Sequence, residues 1–208
     1  MTVLIAIAAN PSEGQVPYIL MGADSLEITS DPAQGTTVKD EHYKKIYKIN
    51  DMLVSVSGRF DRVFTDSFLS FLKESDDTLS VLYKKAYEYV YDYMENVEPH
   101  EEAKCGIYIG CCKNATPEIA EIRMKKNDLG NAFHDYQVPE PNQFIVNFAG
   151  SIHVPEDDDL ADAFKKRVVD SQSLALTSVR KAAEDYLKKA ASRYPDTCNQ
   201  NIVFERLR

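Results

Sequence analysis

The chain has 208 residues, 44% of them hydrophobic, which is enough to bury one sizeable core; no Gly/Ser- or Pro-rich linker divides it, so a single domain over residues 1–208 is expected. Lys and Arg number 24 against 33 Asp and Glu, and a formal net charge of -9 argues against the basic face that a nucleic-acid partner requires. No apolar run is long enough to span a bilayer, and neither a P-loop nor a dinucleotide fingerprint occurs, which points to a cytoplasmic protein without a nucleotide cofactor.

Residues 2 to 9 alternate Val3, Ile5 and Ile7 with Leu4, Ala6 and Ala8. Both sets are apolar, as in a strand buried on both faces of a layered fold. The segment 10–17 (NPSEGQVP) carries turn residues, and Tyr18 to Ala23 is a second apolar run, so the two runs form a hairpin centred near Glu13. Facing residue numbers then sum to about 26 by antiparallel pairing, which opposes Asp24 to Thr2. Residues 25–43 read as a polar loop. KIYKI at 45–49 and MLVSVSG at 52–58 form a second hairpin about Asn50-Asp51, with Lys45 and Gly58 at the same open end.

Phe60, Val63, Phe64, Phe68, Phe71 and Leu72 recur at helical spacing, so a helix begins just after Gly58, with Asp61 in its first turn. A second helix follows over Leu79 to Met94. Its stripe of Leu79, Leu82, Ala86, Val90 and Tyr93 is widened by Tyr83, Tyr87, Tyr89 and Tyr91, enough for contacts on two sides: core packing, or a subunit contact. Strand patterns return at 105–112, 118–124 and 143–150, and these are expected to build a second sheet. Glu156 to Asp159 open a helix that runs to about Val169, a longer helix covers 176–193, and IVFERL at 202–207 closes the chain as a strand. The order implies two packed sheets with a helical layer outside each, an α/β four-layer αββα sandwich.

Cys105, Cys111, Cys112 and Cys198 include no Cys-x-x-Cys pair, and His42, His100, His134 and His153 are scattered. The spacing predicts reduced thiols and no metal site. The dipeptide Met1-Thr2 offers different chemistry. Removal of Met1 leaves Thr2 with a hydroxyl and a free α-amine on one residue, and an amine of pKa roughly 7.7–8.0 can accept the hydroxyl proton during attack on a carbonyl.

The Thr2 strand, GADS at 22–25, KKIYKIN at 44–50 and VSVSG at 54–58, followed by a Phe-rich helix, resemble the proteasome β-type subunits and the related bacterial heat-shock-locus peptidase. Both are N-terminal nucleophile hydrolases with the αββα fold. The resemblance implies Thr2 as nucleophile, Asp24 and Lys45 as its charged partners, and Gly58 as the oxyanion donor. It also implies Ser151 as support for the terminal amine and Asp196 as the aspartate after the long helix. It further implies a threonine peptidase that needs no cofactor or metal, built into a homo-oligomeric ring or related assembly, acting on polypeptides and fed by an ATP-dependent unfoldase. Two other readings stay open at this stage: a non-catalytic assembly subunit of the same fold, for which Leu26, Ile28 and Asn199 depart from the pattern of active members, and an amidohydrolase acting on a small amide.

Overall fold

The computed structural model describes residues 3–12, 14–31, 36–59, 62–96, 103–149, 158–196 and 198–208. Strands β1 (Leu4–Asn10) and β2 (Tyr18–Asp24) form the first hairpin. They are flanked by β10 (Gln143–Ala149) and β11 (Ile202–Leu207) in a four-stranded antiparallel sheet of order β10-β1-β2-β11. A five-stranded antiparallel sheet runs β5 (Ile46–Ile49), β6 (Met52–Arg59), β7 (Lys104–Lys113), β8 (Thr116–Lys125) and β9 (Phe133–Gln137). Helices α1 (Arg62–Glu74) and α2 (Leu79–Asn96) cover the outer face of the five-stranded sheet, and α3 (Asp158–Asp170) and α4 (Leu176–Arg193) cover that of the four-stranded one.

The double apolar set of β1 explains this layering. Val3, Ile5, Ile7 and Ala9 pack beneath α3 and α4 with Phe164, Val179 and Tyr186, while Leu4, Ala6 and Ala8 meet Tyr108, Leu53 and Ile119 of the opposite sheet. A strand with only one apolar face could not occupy this central position, because its polar face would be stranded between two dry layers. The sheets approach closely at Gly110, where a Cβ would lie 2.6 Å from Ile19.

The tyrosines of α2 do meet neighbours on two sides. Tyr93 and Tyr89 pack on α1, with ring centroids 4.1 Å from Phe64 and 4.8 Å from Phe71 respectively, while Tyr83 stacks on Tyr136 of β9 at 5.5 Å and Tyr87 lies 4.3 Å from His134. Their apolar rings thus fill the chain's own core, as expected of half-buried aromatics.

Four expectations need correction. The supposed polar loop 25–43 contains a hairpin of β3 (Glu27–Asp31) and β4 (Thr36–Asp40). Strand β10 pairs with β1, Leu4 facing Ala149, and so joins the first sheet rather than β7 and β8. Strand β9 was not expected, since FHDYQ mixes polar and aromatic residues without a clear alternation. Val63, expected in the buried stripe of α1, is 76% exposed, and Phe64, Thr65, Phe68 and Leu72 carry that face instead. Phe60, Asp61, His100, His153, Glu156 and the hairpin centre Glu13 lie outside the described residues.

None of the four cysteines is disulfide-bonded, and burial pushes the Cys105 and Cys111 thiols up to about 12. Among the described residues no group of three or more His, Cys, Asp or Glu is placed to hold a metal ion, and no helix is long and apolar enough to cross a membrane.

Candidate active site

The site lies where β2 ends and the segment before β5 begins. Register fixes the first partner: Leu4 faces Ala23, so Asp24 aligns with Val3, one residue from the expected pairing with Thr2. The bonds reinforce that alignment. The Asp24 N–H donates to the Val3 carbonyl at 3.2 Å, and the Val3 N–H donates back to Asp24 Oδ1 at 3.0 Å. The second carboxylate oxygen, Oδ2, accepts the Leu26 N–H at 3.1 Å. The Asp24 side chain thus caps the backbone on both sides of its own position, including the amide that joins Val3 to Thr2.

Lys45 completes the group. Its Nζ donates to Asp24 Oδ1 at 2.9 Å, with the Lys45 and Asp24 side chains only 4% and 0% exposed. Such a pair persists out of water only when the charges meet directly and further hydrogen bonds serve the carboxylate, which the Val3 and Leu26 amides supply here. Among the described residues Lys45 spends one of its three N–H donors on Asp24. A pocket of about 200 Å³ reaches the pair from the side between β5 and β11, lined by His42, Tyr43, Val203 and Glu205 as well as by Asp24 and Lys45.

Gly58 stands near the same end. In the β5–β6 register Ile46 faces Ser55, and Gly58 lies three residues further along β6. Its φ of +133° is a conformation that side chains resist, and a Cβ there would sit 2.0 Å from the Lys104 carbonyl oxygen. Only glycine fits, because the chain must turn against β7 on its way to α1.

Of the other expected site residues, Thr2 and Ser151 lie outside the described residues. Asp196 is exposed on the turn after α4, and among the described residues it makes no ion pair or hydrogen bond to Asp24 or Lys45. The post-helix segment instead reaches the site through Asn199 and Asn201, which bond to Ser25, the residue after Asp24. Sequence reasoning gave Asn199 no contact and passed over Asn201. The Asn-Gln-Asn run ahead of β11 signals a turn, with nothing to reveal a partner 174 residues away.

A second buried carboxylate, also unforeseen, lies between the sheets. The Tyr108 hydroxyl is 2.9 Å from both Glu121 Oε1 and the Phe148 carbonyl, and Glu121 Oε1 is 2.8 Å from Arg123 Nε. Burial raises the Glu121 pKa, opposed by Arg123 and by the Tyr108 bond. This group ties β7 and β8 to β10.

Two packed antiparallel sheets between helical layers are the fold shared with the proteasome-like N-terminal nucleophile hydrolases. Among solved structures of this fold the chain is similar over its whole length to eukaryotic HslV from Trypanosoma brucei, at 12% identity and a TM-score of 0.55, covering 99% of that chain. It is likewise similar over its whole length to BPH from Thiobacillus denitrificans, solved in complex with epoxomicin, at 13% identity and a TM-score of 0.57, covering 98% of that chain. The Anbu complex from Pseudomonas aeruginosa, a helical assembly, matches 98% of this chain and 80% of its own at 10% identity and a TM-score of 0.55. No protein-family model and no curated protein matches the sequence.

Proposed function

We propose that this chain is a threonine-type N-terminal nucleophile hydrolase that cleaves peptide bonds once processing leaves Thr2 as the terminal residue. The observation that carries the reading is the Asp24–Lys45 pair, 2.9 Å apart and buried, whose carboxylate also holds the amide of the residue bonded to Thr2. A charged pair costs several kcal/mol to desolvate, and a fold that needed only stability would be served as well by apolar residues.

In the proposed reaction the Thr2 hydroxyl oxygen attacks the scissile carbonyl carbon while its proton passes to the Thr2 α-amine. The Lys45 ammonium favours the developing alkoxide by charge, and Asp24 keeps that ammonium oriented. A backbone N–H at Gly58 steadies the oxyanion. The C–N bond then breaks, the leaving amine takes the proton from the α-ammonium, and an ester remains on Thr2. Water adds to that ester with the amine again as base, releasing the carboxylic acid and restoring the hydroxyl. All of these roles fall on the chain's own groups, with Ser151 supporting the amine and no metal or organic cofactor involved. The likeness to a neighbour solved as a helical assembly supports a homo-oligomeric assembly; a cytoplasmic location, polypeptide substrates and an ATP-dependent unfoldase as feeder are part of the same proposal.

A second reading, an assembly subunit of this fold without turnover, draws on the exposed position of Asp196 away from the pair and on Leu26, buried where active members carry arginine. Intact mass and labelling separate the two. Protein purified from its native source is expected to have Thr2 at its terminus and to gain one adduct from an N-terminal-threonine-directed electrophile such as epoxomicin, while Thr2→Ala gains none. Retained Met1, or no adduct on correctly processed protein, refutes the hydrolase and leaves the assembly subunit. Turnover of a peptide library, or of small amides only, decides the substrate class.

A further inference from the structure

The Asp24–Lys45 pair joins two segments that are not adjacent in any sheet: the end of β2 and the strand-free stretch before β5. Its geometry therefore depends on what fixes residues 24–26 against residues 41–45. Ser25 is buried, at 2% exposure, and its polar groups are all committed, two of them across that gap and one to a third segment. Its carbonyl accepts the Tyr43 N–H at 2.8 Å, its hydroxyl donates to the Glu41 carbonyl at 2.5 Å, and its N–H donates to Asn199 Oδ1 at 3.1 Å.

The two asparagines close this knot from a third segment. Asn199 Nδ2 donates to the Glu41 carbonyl at 3.1 Å and lies 3.3 Å from Ser25 Oγ. Asn201 Nδ2 donates to Ser25 Oγ at 2.9 Å and lies 3.2 Å from His42 Nδ1. The orientation of the Asn199 amide follows from its neighbours, because the reverse would aim its oxygen at the Glu41 carbonyl and its NH2 at the Ser25 N–H. A planar group that accepts from one segment and donates to another fixes both distance and direction between them. An aliphatic side chain would leave the Glu41 carbonyl and the Ser25 N–H with fewer partners, and serine cannot span the two.

We propose that Asn199 and Asn201 are positioning residues for the Asp24–Lys45 pair, acting through Ser25 and the Glu41 carbonyl: they hold the end of β2 against the segment that delivers Lys45. The kinetic part rests on the hydrolase reading above. Neither asparagine touches the pair itself. Their effect is on where the ammonium sits, and a displacement near 1 Å in a reacting constellation costs on the order of 100-fold in rate.

The test uses the processed, assembled protein and three variants, Asn199→Ala, Asn199→Asp and Asn201→Ala. Asn199→Asp keeps the acceptor for the Ser25 N–H and loses the donor to Glu41, so it reports the clamp even if Asn199→Ala folds poorly. Each variant is expected to lower kcat for a peptide substrate about 10- to 100-fold with KM within about 2-fold, and to slow adduct formation at Thr2 in parallel. Hydrogen exchange at the Val3, Leu26 and Tyr43 amides is expected to accelerate about 10-fold or more while β7 amides keep their protection. Unchanged kcat in an enzyme whose Thr2→Ala variant is inactive overturns the positioning role. If wild-type protein shows no turnover at all, the hydrolase reading has failed, and exchange alone decides the clamp. Acceleration confined to those three amides and that of Ser25, which bonds Asn199 directly, upholds it, and unchanged or uniformly faster exchange overturns it.

Discussion

Asp24 and Lys45 are linked asymmetrically, which makes their removal a quantitative test. Asp24→Ala leaves the Lys45 ammonium buried without its carboxylate and deprives the Val3 and Leu26 amides of their acceptor. Breaking a buried pair costs about 3–5 kcal/mol, and the orphaned amides bring the expected loss to about 4–6 kcal/mol because such terms are not additive. Lys45→Met removes the cation but leaves Asp24 its two amide donors, so a smaller loss of about 2–3 kcal/mol is expected. The double variant has no stranded charge and should fall only about 3–4 kcal/mol, short of the sum of the two single losses, with a coupling of a few kcal/mol. Urea unfolding followed by far-UV circular dichroism at constant m-value measures all four corners of the cycle. For a chain of this size the Asp24→Ala loss corresponds to a Tm lower by roughly 10–20 °C. Losses that simply add, or an Asp24→Ala cost below about 1 kcal/mol, would mean that the two charges do not depend on each other, and the account of the site would fail.

Other positions give sharper single outcomes. Gly58→Ala places a methyl where the Lys104 carbonyl stands, 2.0 Å away, and is expected to cost about 2–4 kcal/mol and to abolish turnover, measured by thermal melting and peptide hydrolysis; a variant as stable as wild type would contradict the backbone geometry. Phe68→Ala removes a fully buried ring packed on Phe64, Phe71 and Tyr89, with an expected loss of about 3–5 kcal/mol in chemical denaturation. Glu121 provides a pH test. Its raised folded-state pKa means that the folded protein binds that proton more tightly than the unfolded chain, so its contribution is fully present below the unfolded value and is lost as pH rises through the folded one. Wild-type stability relative to Glu121→Gln should therefore decline as pH rises above the ordinary glutamate range of about 4.3 in paired urea titrations, and a difference that grows with pH would reverse the assignment.

Much of the fold is legible in the residues because the layered sandwich imposes local patterns. Buried strands such as β1 and β2 need apolar residues on both faces, and helices such as α2 and α4 need one apolar stripe, so these elements stand in the sequence within a residue or two of their observed ends. The hairpin β3–β4 and the strand β9 were missed because their sequences carry only weak versions of these patterns: EITSD and TTVKD read as polar loop, and FHDYQ owes its place to the tyrosines of α2 and to the edge of β8. The partner of β10 was missed for a different reason. Its alternation says that it is a strand, whereas its pairing with β1 spans more than a hundred residues and depends on which sheet edge is free when the layers close.

The site divides along the same line. The sequence by itself put Asp24, Lys45 and Gly58 at the open ends of two hairpins, and the family resemblance made them candidates; pairing arithmetic brings such ends to definable residues, and glycine follows a backbone that no other residue can. Only the tertiary structure decided that Asp24 caps Val3 rather than facing Thr2, that Lys45 reaches it at 2.9 Å, and that Asn199 and Asn201 bind these segments together while Asp196 stays at the surface. Local pattern is written in periods of two and 3.6 residues. The meeting of side chains from distant segments has no period, and becomes definite only when burial leaves each polar group a single place to find its partner.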